Sequence, residues 1–266
     1  DPVVAASIQG LWDFHRLPLP ERTAQFDANY DRVNMVDWYL LISFTAAADL
    51  LDKNSILTSW DGKKYYWMPY DLDTTFGLHW NGSGVEYPPN WDWDTGPNII
   101  PIVKPIIIND ILKRYAELRK KGVFTLSTVY RINRDIETKF SLDLFKREQL
   151  RWDVPSKDVG GINQIMGWLK DRIKFLDAKF NYLDDGVLAQ KMWNPPMLVS
   201  GGTQTTTLPV AGIAMGTKVL ADFGLPLQGT KMTAAVTSVG VVTVTHTNPT
   251  SGTVNLDYTA VRVLPG

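Results

Sequence analysis

The chain has 266 residues, of which 44% are hydrophobic and 21% are charged, and this balance is typical of globular domains. It carries 27 basic and 28 acidic residues, for a formal net charge of −1 at pH 7. This argues against a nucleic-acid partner, because no excess of positive charge attracts phosphate. The absence of cysteine excludes disulfides, thiolate zinc sites and cysteine nucleophiles. No apolar run reaches the roughly 18 residues of a membrane span, so no span is expected.

The first elements in chain order are helical. Residues 3–14 form a predicted helix, and a proline-rich link follows over 17–20. From Asp31, a good cap residue, apolar side chains recur at helical spacing as far as Phe44. This pattern predicts a second helix that is buried on most of its sides.

A hairpin and a long loop are predicted next. Two short runs, 55–60 and 64–68, are joined by Asp61-Gly62, a dipeptide that favours a tight hairpin turn. Residues 79–101 mix turn formers and aromatic residues without a regular period, which predicts a long loop. Four later segments have helical patterns: 109–121, 127–140, 141–151 and 159–180.

Composition changes near residue 194. All ten tryptophans lie at or before Trp193, whereas residues 200–266 contain 14 threonines and only five charged residues. Paired prolines and paired glycines in between predict a linker. We therefore expect a domain over 1–193, a linker over 194–202 and a small β-sandwich over 203–266, which has few charges and is suited to self-association. Its predicted strands are 205–210, 217–221, 230–238, 241–247 and 253–263.

Polar residues flank the predicted hairpin in an informative order. Asp49 and Asn54 precede it, and Asp71 and Asp73 follow it. Protein kinases place a base Asp and a metal-binding Asn in the spacing Asp-x-x-x-x-Asn, with a metal-binding Asp later in the chain. Magnesium prefers oxygen ligands of this kind. One interpretation is that Asp71 and Asn54 bind metal, Asp73 supports it and Asp49 accepts a hydroxyl proton; the other is that the two later aspartates only cap a loop.

Segments 36–40, 49–54, 67–77 and 168–177 together resemble the CotH (spore-coat protein H) kinase family, in the form carried by bacteriophage tail and baseplate proteins. The resemblance covers about residues 25–185. It implies an atypical kinase fold that uses ATP and Mg²⁺ or another divalent cation to phosphorylate protein hydroxyls. It also implies that Asp49 is the catalytic residue and that Asn54 and Asp71 are metal ligands, with Asp73 as second choice.

The front of the chain departs from that family. The strands that bind the nucleotide, with the lysine that holds the ATP phosphates, should precede the matched part, and no Gly-rich loop is present there. The chain starts at Asp1 rather than Met, which suggests processing or a segment of a longer protein. The expected fold class is α+β, a mainly helical domain resembling a kinase C-lobe, without its N-lobe and with a β-hairpin, followed by a small all-β sandwich.

Residues 244–256 resemble the small β-domains that end phage tail fibres. The favoured hypothesis is therefore a structural or host-adhesion component of a phage tail, extracellular after assembly. It would form a homo-oligomer, with a trimer as the expected state, contact other tail proteins and require no cofactor. The first alternative is an ATP- and metal-dependent protein kinase of the CotH type.

The second alternative is a glycan-binding adhesin. Aromatic side chains of the loop over 80–97 would stack on host cell-surface sugars, although tryptophans more often bury area beneath a long loop. These candidate contacts are Trp80, Tyr87, Trp91 and Trp93. The three histidines have no i, i+4 spacing, so a histidine metal site is not expected; they are His15, His79 and His246.

Overall fold

The structure is a computed structural model that describes residues 1–79, 85–94, 98–140, 144, 147, 150–151, 161–184 and 186–266. It divides into two compact units, 1–169 and 170–266. The predicted linker over 194–202 lies within the second unit.

Three helices open the first unit: α1 (Pro2–Arg16), α2 (Leu19–Asn29) and α3 (Arg32–Thr45). Asp31 caps α3 by accepting a 2.8 Å hydrogen bond from the Asn34 backbone N–H. Nine residues of α3 are buried, which confirms the predicted buried helix. The predicted link over 17–20 is too long, because α2 already begins at Leu19. Pro20 is tolerated there since the first turn needs no donor from it.

The predicted hairpin is confirmed. A short 3-10 helix (Ala48–Leu51) leads into β1 (Ser55–Ser59), which pairs antiparallel with β2 (Tyr65–Pro69). In the turn, the Asp61 carboxylate accepts hydrogen bonds of 2.9 Å from the backbone N–H groups of Lys63 and Lys64. The hairpin therefore brings the chain just before β1 next to the chain just after β2.

The helices that follow are α4 (Ile100–Lys120), α5 (Leu126–Lys139) and α6 (Ile162–Lys179), and α6 contains the point where the two units divide. The α4 helix begins nine residues earlier than predicted. Pro101 lies in its first turn and Pro105 inside it, so these prolines do not mark a loop. The predicted helix over 141–151 falls mostly outside the described residues. None of the described helices is both long enough and apolar enough for a membrane span.

The second unit contains two antiparallel three-stranded sheets. One has the order β3-β8-β5 and the other β4-β7-β6. The strands are β3 (Ala189–Trp193), β4 (Thr203–Pro209), β5 (Val219–Phe223), β6 (Lys231–Ser238), β7 (Val241–Thr247) and β8 (Thr259–Pro265). Side chains from both sheets fill one apolar core, which includes Val242, Val244, Val261 and Val263. The predicted α+β class is confirmed. Strand β3 was not predicted, because its sequence lacks apolar alternation.

Candidate functional site

Asp49 lies in the 3-10 helix between α3 and the hairpin. Its backbone carbonyl accepts hydrogen bonds from the backbone N–H groups of Lys53 at 2.9 Å and Asn54 at 2.8 Å. The side chain is 24% exposed, and its carboxylate pairs with the Lys53 ammonium at 3.0 Å. This turn explains the Asp-x-x-x-x-Asn spacing, because it folds Asn54 back towards Asp49.

Asn54 joins the two ends of the hairpin. Its Nδ2 donates a 3.1 Å hydrogen bond to the Asp71 backbone carbonyl, and its own carbonyl accepts a 2.8 Å bond from the Tyr70 N–H. The Asn54 amide oxygen accepts no hydrogen bond from the part of the chain that the structure describes. That oxygen is therefore available as a ligand for a hard cation.

Asp71 and Asp73 follow β2 with exposed side chains. Asp71 has a φ of 54°, in the left-handed region that Asp and Asn adopt more readily than other non-glycine residues. The charges of both aspartates act on Lys53. The pKa of the Lys53 ammonium is raised, first by its hydrogen bond to Asp49 and further by the charges of Asp73 and Asp71. The three aspartates thus act on the same lysine; together with Asn54 they are called the acidic site below.

The loop after Asp73 is held by Gly77. This glycine has a φ of 80°, and a Cβ there would lie 2.4 Å from the Trp168 Nε1 and 2.6 Å from the Tyr87 carbonyl oxygen. Trp168 Nε1 donates a 2.8 Å hydrogen bond to that same carbonyl. The Gly77 carbonyl accepts from the Glu86 N–H at 2.7 Å. Only glycine leaves room for this closure, which attaches the loop that carries the acidic residues to α6.

Sequence reasoning missed two residues that interact with Asp49. Lys53 could have been found from the i, i+4 spacing with Asp49, which brings side chains together on a helical turn. Tyr87 could not, because it is remote in the chain. Burial raises the pKa of the Tyr87 hydroxyl, as do its hydrogen bond to Glu86 and the charges of Glu86, Asp49 and Asp52. Tyr87 therefore lies within the electrostatic influence of Asp49.

The loop aromatics pack against one another. The ring centroids of Tyr87, Trp91 and Trp93 are 5.2 to 5.6 Å apart. Trp93 is 8% exposed and Trp91 is 41% exposed. Trp80 lies outside the described residues. Among the predicted glycan contacts that the structure describes, Trp91 thus presents the most open tryptophan surface.

Each of the three histidines contacts a different partner. His15 pairs with the Tyr30 hydroxyl at 2.8 Å, His246 with the Thr230 hydroxyl at 2.9 Å, and His79 lies 3.9 Å from Glu86. Within the described ranges, no three His, Cys, Asp or Glu side chains come together as a metal site. The donor set at the acidic site is two carboxylates and one amide oxygen. This set suits Mg²⁺, which takes few protein ligands and completes its shell with water and phosphate oxygens.

Comparison with known proteins places this site in a family. The family described as CotH kinase protein matches residues 14–176, more than half of the chain. The chain belongs to the CotH kinase family. The CotH match includes the acidic site, the hairpin and the Trp168 contact to Gly77. No curated protein and no solved structure matches the chain.

Proposed function

We propose that the acidic site of this CotH kinase domain binds a divalent cation and supports phosphoryl transfer from ATP to a protein hydroxyl. The observation that carries the proposal is the Asn54–Asp71 hydrogen bond, which joins the two predicted metal ligands across the hairpin. The Asp71 side chain is exposed, and the Asn54 amide oxygen accepts no hydrogen bond from the described residues. Oxygen donors of this type fit Mg²⁺.

Each residue has a distinct role in this proposal. Asn54, Asp71 and Asp73 would hold the cation, which when bound neutralises charge on the nucleotide phosphates. Asp49 would orient the attacking hydroxyl and accept its proton as the new oxygen–phosphorus bond forms and the bond between the γ-phosphorus and the oxygen of the leaving ADP breaks. Lys53 already holds the Asp49 carboxylate in place. Positioning and charge stabilisation supply most of the catalysis in reactions of this class.

The test is incorporation of labelled phosphate from Mg²⁺-ATP. Asp49→Asn and Asp71→Asn should each lower incorporation by roughly 100-fold or more, because each removes a group that acts on the reacting atoms. Asn is chosen at position 71 because it tolerates the positive φ. The matched control is Asp257→Asn, an exposed aspartate in the second unit. Equal incorporation by all three variants would overturn the proposal.

A second candidate is a structural or adhesion component of a bacteriophage tail, assembled as a homotrimer and extracellular after assembly. It is supported by the exposed threonines of the β4-β7-β6 sheet, where Thr203, Thr205 and Thr207 lie along β4. A polar but nearly uncharged sheet face does not repel a copy of itself. Sedimentation should give a trimer at micromolar concentration, and purified particles should contain the chain. A monomer that is absent from particles would contradict this candidate.

Glycan recognition belongs to the adhesion candidate and can be separated from the kinase. If the loop aromatics bind host cell-wall sugars, Trp91→Ala should abolish binding to cell-wall fragments. Asp71→Asn should leave that binding unchanged. The reverse pattern would exclude a role for the aromatic loop.

A further inference from the structure

Lys53 forms an ion pair with Asp49 of the acidic site. Its Nζ is 3.0 Å from Asp49 Oδ2, and its backbone N–H also donates to the Asp49 carbonyl at 2.9 Å. The lysine side chain is 67% exposed, whereas Asp49 is 24% exposed. Lys53 therefore approaches the fixed Asp49 from the solvent side, one residue before Asn54.

Stability does not explain this placement. An ion pair with so exposed a lysine contributes little to folding, because water screens it and the long side chain loses freedom. Its effect on charge is larger. The site holds Asp49, Asp71 and Asp73, and the Lys53 ammonium offsets part of the negative potential that would attract a cation. The same carboxylates therefore attract both the lysine ammonium and a divalent cation, and the presence of one weakens the binding of the other.

We propose that Lys53 is a positioning residue that serves as the internal counter-ion of this site, holding Asp49 until cation and nucleotide arrive. With both bound, Lys53 would be free to move its ammonium from Asp49 to a phosphate oxygen, because the cation would supply the positive charge that the carboxylates need. A flexible four-carbon stem permits this movement, and lysine binds phosphate as a point charge. The inference rests on the proposed phosphoryl-transfer function.

The first test measures Mn²⁺ binding to the full chain without nucleotide, and the paramagnetic relaxation of water is the readout. Lys53→Met should tighten Mn²⁺ binding about five-fold, since a unit charge about 8 Å from a divalent ion in water is worth about that factor. Lys53→Arg should stay within two-fold of the wild type. The matched control is Lys63→Met at the far end of the hairpin, about 17 Å along the strand, which should leave binding unchanged.

The variant Asp49→Asn tests whether the effect of Lys53 depends on its ion pair with Asp49 or only on its positive charge. Without the Asp49 carboxylate the ammonium is no longer held, so Lys53→Met in that background should change Mn²⁺ binding less than two-fold. If Lys53→Met still tightened Mn²⁺ binding about five-fold in this background, Lys53 would act without the ion pair, and its proposed role in holding Asp49 would be wrong. In nucleotide titrations with Mg²⁺, Lys53→Met should weaken ATP binding about ten-fold, and Lys53→Arg should restore it.

The outcomes distinguish the two proposals. If the wild type binds Mn²⁺ and Lys53→Met does not tighten it, the role of Lys53 is wrong and the cation site stands. If neither protein binds Mn²⁺, the cation site is wrong and the counter-ion role falls with it. Tighter Mn²⁺ binding with weaker ATP binding, both reversed by arginine, is the expected result, and a purely structural role for Lys53 would not produce it.

Discussion

Replacing Gly77 with alanine tests how the loop that carries the acidic residues is held. The new Cβ would lie 2.4 Å from Trp168 Nε1 and 2.6 Å from the Tyr87 carbonyl oxygen, and real Cβ contacts are not that short. Either the indole or the backbone of residue 87 must move. Both groups belong to the 2.8 Å hydrogen bond that closes this part of the first unit, so the bond should break.

The size of the effect follows from three contributions. Alanine at a positive φ costs about 1 kcal/mol, overpacking costs roughly 1 to 3 kcal/mol, and the lost hydrogen bond costs about 1 kcal/mol. Gly77→Ala should therefore lower the free energy of unfolding by about 4 kcal/mol. Two control glycines separate these contributions. Gly122 has a φ of 71° with nothing within 4 Å, and Gly167 lies in α6 with a normal φ and open space.

The assay is guanidinium unfolding followed by tryptophan fluorescence, since nine of the ten tryptophans lie at or before Trp168. Gly122→Ala should cost about 1 kcal/mol through φ alone. Gly167→Ala should stabilise by about 0.5 to 1 kcal/mol because alanine favours a helix interior. If Gly77→Ala fell within 0.5 kcal/mol of Gly122→Ala, the steric reasoning would be refuted.

Three further predictions concern single side chains. Asp71→Val should lower the free energy of unfolding by about 1 to 2 kcal/mol, because a β-branched residue does not tolerate the φ of 54°, whereas Asp71→Gly should not; a chemical melt compares them. His246 is buried, which lowers its pKa from 6.5. The unfolded chain then binds the proton more readily, so the second unit should lose stability as the pH falls below about 6.5, and His246→Gln should flatten that pH profile. Asn248 is fully buried and donates to the carbonyls of Leu198 at 3.0 Å and Gly252 at 2.8 Å; Asn248→Asp should cost about 2 to 4 kcal/mol in thermal unfolding, because a carboxylate donates to neither carbonyl and its charge is buried beside both carbonyl oxygens.

Local patterns predicted the elements that depend on local chemistry. Asp31 marks the start of α3 through its own cap hydrogen bond, and Asp61-Gly62 marks the hairpin through its turn. The start of α4 was not predictable in this way. A proline is compatible with the first turn of a helix but usually indicates a loop, and the sequence pattern does not show which of the two applies. Strand β3 exists because it pairs with β8, whose first residue, Thr259, lies opposite Trp193. The sequence around β3 alone does not reveal this pairing, because β8 lies far away in the chain.

The residues of the candidate site also fall into those that local sequence predicted and those that depend on tertiary packing. The order of Asp49, Asn54 and Asp71 was readable, because the hairpin between them is local and brings its two ends together. The effect of the Asp49 charge on Tyr87 depends on the closure of Gly77 against Trp168, residues that are 91 positions apart in the chain. Such contacts follow from tertiary packing, so the sequence pattern indicated the acidic residues but not what surrounds them.

The central claim is that the Asn54–Asp71 pair forms a cation site. The most direct measurement is a Mn²⁺ titration of the wild-type chain beside Asn54→Leu, Asp71→Asn and the control Asp257→Asn. We expect one bound Mn²⁺ in the wild type and the control, and its loss in both site variants. Equal binding by all four proteins, or binding by none, would contradict it.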